Sequence, residues 1–128
     1  MAVNNIHDYI QPGRRAHLVG IGGVSMSPLA EVLRGGGMEI TGSDLHESES
    51  VAHLRSLGIP VTIGHFGDTA VNNRADCVIR TAAVHDDNPE IAGARAAGIP
   101  IFERAQAWGA IMRSYRNALC IAGTHGKT

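Results

Sequence analysis

A chain of 128 residues, 44% hydrophobic and 18% charged, has room for one compact core and is too apolar for disorder or a coiled coil. Its formal net charge of −1 supplies no sequence-wide field for nucleic acid or an anionic membrane, both of which need clustered Lys and Arg. No apolar run approaches the roughly 20 residues that cross a bilayer, and "MAVNNIHDYI" lacks the basic start and apolar stretch of a secretory signal, so the cytoplasm is the expected compartment.

The first predicted strand is "AHLVGI". It runs into "GIGGVSMSPLA", from Gly20 to Ala30, where a helix is expected to begin near Met26. Gly20, Gly22 and Gly23 let the backbone turn sharply and approach a ligand, and the unpaired N–H groups of the following helix start attract anions. A phosphate or diphosphate is the natural guest. Ser25 stands where the usual dinucleotide fingerprint has its third glycine; its hydroxyl and that of Ser27 would cap the helix or bond a phosphate oxygen.

The second strand, "MEITGSD", ends on Asp44, about 20 residues beyond the loop, where an acid in dinucleotide folds accepts hydrogen bonds from ribose hydroxyls. A helix near Glu49 leads to "PVTIGH", which places His65 at a strand end. "DCVIRTA" does the same for Thr81. On residue chemistry alone a lone histidine there reads as a solvated loop residue. "DNPE" reads as a helix start, with Asn88 as cap, Pro89 in the first turn and Glu90 favourable to the dipole. The strand "IPIFE", a helix near Ala105 and a last strand, "NALCIAGT", complete the series.

Strands apolar nearly throughout, separated by helices, predict an α/β fold: a doubly wound, Rossmann-like parallel sheet with helices on both faces. The glycines of "RGGGM", "LGIP" and "AGIP" fall where helix ends want a left-handed residue, and Pro60 and Pro100 open the next strands. Cys77 and Cys120 sit inside apolar strand runs and read as core thiols of a reducing compartment rather than a disulfide. The seven histidines show no pair at zinc-site spacing. "MRSYRN", from Met112 to Asn117, is the expected hinge, so residues 1–116 form one domain and 117–128 the first strand and truncated phosphate loop of another.

That loop is "GTHGKT". Ile121 stands where the common GxxxxGK[ST] loop has its first glycine, so this is a shorter form with the same chemistry. Gly123 and Gly126 free the backbone to wrap phosphate, Lys127 supplies a cation, and Thr128 offers a hydroxyl to magnesium.

"HLVGIGGVSMSPLAEVL", "TGSD", "IGH", "DNPE" and "AGTHGKT" together resemble the N-terminal part of the Mur ligases, over nearly the whole chain from about His17. The Met-Ser after the first loop and the histidine of the second favour the member that adds L-alanine to UDP-N-acetylmuramate in peptidoglycan synthesis. The resemblance implies a three-domain ATP-dependent ligase, of which this chain would be the first domain, cut at the first phosphate loop of the second. By position, Gly22, Gly23, Val24, Ser25, Met26 and Ser27 would cradle the diphosphate. Asp44, His65 and Thr81 would lie along the uridine and its ribose. Gly123, Thr124, His125, Gly126, Lys127 and Thr128 would hold ATP and magnesium in the intact enzyme, with Thr128 on the metal. The expected partner is UDP-N-acetylmuramate, with L-alanine and ATP only in the intact enzyme, and no tightly bound cofactor or ligase activity in this chain. Gln106 departs from the family, where an acidic residue commonly stands. Two other readings stay open: an NAD-holding oxidoreductase domain, which explains the first loop and Asp44 but leaves "GTHGKT" without a purpose, and a non-enzymatic nucleotide-sensing module.

Overall fold

The computed structural model describes residues 5–114. Strands β1 Arg15–Val19, β2 Glu39–Asp44, β3 Val61–Ile63, β4 Cys77–Arg80 and β5 Ile101–Glu103 alternate with helices α1 Met26–Gly35, α2 Glu49–Ser56, α3 Thr69–Asn72, α4 Pro89–Ala96 and α5 over residues 104–114. All pairings are parallel, in the order β3-β2-β1-β4-β5. The expected doubly wound sheet is thus present, and its five strands lie where the apolar runs predicted them.

Strand side chains alternate between faces, and the two faces bury different sets. Leu18, Ile40 and Ile79 share the larger cluster with Leu29, Leu33, Val51, Leu54, Ala107 and Ala110 from α1, α2 and α5. Val19 and Val78 pack on the other side with Ala70 of α3 and Ile91 and Ala94 of α4. Both "GIP" junctions enter edge strands, β3 and β5. There the N–H that Pro60 and Pro100 lack is not needed for a second neighbour, while their carbonyls still accept from Gly42 (3.0 Å) and Val78 (2.9 Å).

The helix ends follow the glycine punctuation. Gly37, Gly58 and Gly98 all have positive φ. At each, the next amide returns to a carbonyl five residues back: Met38 to Leu33, Ile59 to Leu54 and Ile99 to Ala94. This is the Schellman closure. α3 ends in the same way, Ala75 N–H reaching the Ala70 carbonyl, but with Arg74 in the left-handed region at φ 56°. The missing glycine is why the sequence did not reveal this short helix, nor did it reveal the 3-10 turn Ile6–Asp8.

Two expectations about the chain's ends are altered or untouched. The hinge was expected to break the last helix at Met112, yet α5 runs on through Ser114; none of Met112, Arg113 or Ser114 is a helix breaker. The strand "NALCIAGT", Cys120 and the whole "GTHGKT" loop lie outside the described residues. Cys77 is buried, and burial above all, with Asp76 adding and Arg14 opposing, pushes its thiol up to about 12. It is a core residue rather than a nucleophile. Among the described residues no helix is long and apolar enough to cross a membrane, and no group of three His, Cys, Asp or Glu is placed to hold a metal ion.

Candidate functional site

In a parallel sheet the strands end on one edge, and ligands bind there where the chain order reverses. Here that point lies between β1 and β4. The strand order sets four expected segments side by side along this edge: His65 after β3, Asp44 closing β2, the glycine loop after β1 and Thr81 after β4. Val84, from the segment after β4, reaches to 3.8 Å of where a side chain on Gly20 would begin.

The glycine loop is fastened to β2. Gly20 and Ile21 N–H both donate to the Ser43 carbonyl at 2.9 Å, Gly22 N–H to Asp44 Oδ2 at 2.8 Å and Gly23 N–H to the Gly20 carbonyl at 3.1 Å. Ser27 N–H donates to the Gly23 carbonyl. Of the residues expected to cradle the diphosphate, Gly22, Gly23 and Ser27 thus have amides that are already paired. Within the bend, over residues 20–27, only Val24, Ser25 and Met26 present amides with no acceptor among the described residues. They stand at the head of α1, where the helix dipole adds about half a positive charge. Val24 is 97% exposed at the tip, whereas the Met26 side chain is in the core and offers the site only its amide. Ser25 occupies the cap position without a side-chain cap hydrogen bond. The capping reading of its hydroxyl thus fails, and the group is left for other partners.

Gly22 leaves room for the Asp44 carboxylate, which a side chain there would displace. A Cβ there would stand 2.8 Å from Asp44 Oδ2 and 3.1 Å from Val51, so the loop lies flat on the end of β2. Asp44 is the clasp: Oδ2 accepts from Gly22 and Oδ1 from the Leu45 amide at 2.8 Å. A carboxylate has about four acceptor sites, so the residue expected to meet a ribose also fixes the loop beside it.

His65 is no solvated loop residue. Its Nδ1 bonds the carboxylate of Glu90 and lies 3.5 Å from Ser43 Oγ. Glu90, only 1% exposed, is the residue that sequence reasoning misjudged. Seated in the first turn of α4 with its own N–H on Asn88 Oδ1 (2.9 Å), it turns inward. Oε1 meets His17 Nε2 at 2.7 Å, and Oε2 accepts from the Ser43 hydroxyl at 2.6 Å. His17 Nδ1 continues to Thr41 Oγ1 at 2.8 Å. Burial pushes the Glu90 carboxyl up, but the hydrogen bonds from His17, Ser43 and His65 together outweigh it and hold the group below the usual range. The available signal was His17, Thr41 and Ser43 on one face of strands read as buried, because such groups demand a partner.

On the far side, Arg80 bonds Asp86 (2.5 Å) and Glu103 (3.0 Å), and Arg95 also reaches Asp86 at 3.2 Å. These pairs tie the Thr81–Asp87 segment to β5, around a cavity of about 320 Å³ lined by Arg80, Ala82, Val84, His85, Asp86 and Glu103. A cavity of about 480 Å³ lined by Arg34, Met38 and Glu39 among others opens at the opposite, amino end of β2; no expected site residue is there. Gln106 accepts the Glu103 N–H at 2.8 Å, the reach-back of a capping box. Its amide oxygen suffices for that contact without the charge of the family's acid.

Residues 15–116 match the family model described as "Mur ligase family, catalytic domain". The chain belongs to the Mur ligase family. Among curated Mur ligases, it is 48% identical over 112 residues to the UDP-N-acetylmuramate--L-alanine ligase of Agathobacter rectalis, covering 88% of this chain and 24% of the relative. To the enzyme of the same name from Legionella pneumophila (strain Corby) it is 48% identical over 130 residues, covering 98% of this chain and 27% of the relative. The chain thus spans about a quarter of the length of the curated relatives it matches. Of solved Mur ligases, the UDP-N-acetylmuramate-alanine ligase of Thermotoga maritima superposes with a TM-score of 0.66 at 40% identity, over 82% of this chain and 22% of that one.

Proposed function

We propose that this chain is the substrate-binding domain of an ATP-dependent ligase that joins L-alanine to UDP-N-acetylmuramate, and that it holds the UDP portion of that substrate. The observation carrying the reading is the set of open amides at Val24, Ser25 and Met26, clasped to β2 through Gly22 and Asp44. Three donors at the head of α1 suit the negative oxygens of a diphosphate. Asp44, with acceptor capacity left over, and His65 flank them on the β2–β3 side, where the ribose and base would lie; Thr81 flanks them on the β4 side. The relatives' names supply the sugar and the amino acid.

In such a ligase ATP activates the substrate carboxylate as an acyl phosphate, and the amine of L-alanine displaces the phosphate. The residues proposed for ATP and magnesium, Gly123 to Thr128, fall outside the described residues. What this domain contributes is orientation: a diphosphate gripped by main-chain amides on a rigid sheet edge fixes where the sugar and its carboxylate stand. By itself the chain binds UDP and turns nothing over.

Thermal denaturation with UDP, UDP-N-acetylmuramate, NAD and ATP in parallel tests this. A ligand that binds only the native state at 100 times its Kd adds about 2.7 kcal/mol, a rise of several degrees. The two uridine ligands are expected to produce it. A rise with NAD alone would transfer the site to the oxidoreductase reading, and alanine-dependent phosphate release from ATP by this chain would contradict its proposed inactivity.

A further inference from the structure

The network beneath α4 is more than a buried polar core, because one of its members reaches the ligand edge. Glu90, His17 and Ser43 are essentially inaccessible, and two hydrogen bonds, from Ser43 and His17, already give each carboxylate oxygen a donor. His65 is the additional partner, with 14% of its side chain exposed. Its Nδ1 is held by Glu90 with Ser43 alongside, while its Nε2 has no partner among the described residues. A carboxylate accepts only, so the ring nitrogen facing it carries the proton. In the neutral ring Nε2 is then the acceptor, on the side of the imidazole away from Glu90. His17 fits the same scheme: Nε2–H donates to Glu90, and Nδ1 accepts from the Thr41 hydroxyl.

We propose that Glu90 is a positioning residue for the nucleotide: it fixes the ring and tautomer of His65 so that Nε2 is the atom offered to the uridine portion of the ligand. This rests on the uridine-diphosphate reading above. Ser43 extends the coupling, for its hydroxyl donates to Glu90 and its carbonyl receives Gly20 and Ile21 of the glycine loop. One carboxylate thereby orders both the histidine and, through β2, the phosphate loop. A partner that fixes tautomer and ring orientation is how histidine is made directional elsewhere.

The test has two parts on the 128-residue chain. Long-range ¹⁵N spectra of histidine-labelled protein read tautomers directly; neutral His65 is expected as the Nδ1–H form, and this needs no variant. UDP affinity by calorimetry is then compared among the wild type, Glu90→Gln, His65→Ala and the double variant. Gln keeps the shape but has one acceptor oxygen for three donors. The single Glu90→Gln change is expected to weaken UDP about tenfold and to add nothing once His65 is gone. An Nε2–H tautomer in the wild type, or an equal loss with and without His65, would overturn the role assigned to Glu90 while leaving UDP binding standing. Absence of UDP binding by the wild type would instead overturn the functional reading itself, and the ligand role of Glu90 with it.

Discussion

Glu90→Ala is expected to destabilise the chain by about 3–5 kcal/mol, as removing one partner of a buried charged network does elsewhere. His17 Nε2 and the Ser43 hydroxyl, both at 0% exposure, would lose their acceptor, and His65 its anchor. An unsatisfied buried donor alone costs about 1–3 kcal/mol, and the vacated side-chain volume adds to that. Urea denaturation at neutral pH measures the difference from the midpoint shift at constant slope. A loss under 1 kcal/mol would mean that water replaces the carboxylate freely, so that the network is not closed. The pH dependence has a definite sign. The folded state holds Glu90 below its ordinary value, with His17 and His65 the titratable groups facing it. Its contribution is therefore full above the ordinary glutamate pKa and is lost as pH falls through the lowered one. The alanine variant should lack that acid-side loss.

Gly93→Ala should destabilise the chain, although exposed helix interiors normally gain about 1 kcal/mol from this replacement. Gly93 lies in the middle of α4, where the helix presses on the segment after β3. An added methyl would fall onto the carbonyl oxygen of Gly67, with that residue's carbonyl carbon only 2.7 Å away. The obstacle is backbone, which has no rotamer to change, so α4 would have to lift and carry Glu90 with it. Overpacking of this kind costs about 1–3 kcal/mol or more, and a net loss of about 2 kcal/mol is expected in the same urea experiment. Gly35→Ala is the contrast. It lies at the end of α1 with nothing within 4 Å of the new atom, and there the propensity gain of up to about 1 kcal/mol should appear. Equal behaviour of the two variants would contradict the close seat of α4.

The strands and most helices were legible because their signals are local: apolar runs long enough for a buried strand, and a glycine at Gly37, Gly58 and Gly98 where each helix reverses. α3 escaped because it is four residues long and closes on Arg74 instead of a glycine. At the site, the glycine loop and the importance of Asp44 were readable from spacing. That Asp44 clasps Gly22, or that Ser43 receives two loop amides, was not, since all three bonds span more than 20 residues. Glu90 was the main loss. A glutamate in a first helical turn is what the dipole favours in any exposed helix, and only the fold reveals that α4 turns this one onto His17 and Ser43. The polar residues of β1 and β2 did carry the warning, because a histidine and two hydroxyls on a buried face imply an acceptor somewhere.

The open amides are the heart of this account, and a titration of UDP into ¹⁵N-labelled chain observes them one by one. Saturable shifts of the Val24, Ser25 and Met26 amides are expected, larger than those of Gly20 and Ile21, whose N–H groups already rest on Ser43. If UDP binds while these three stay still, or leaves the spectrum unchanged at millimolar concentration, the head of α1 is not the seat of a diphosphate.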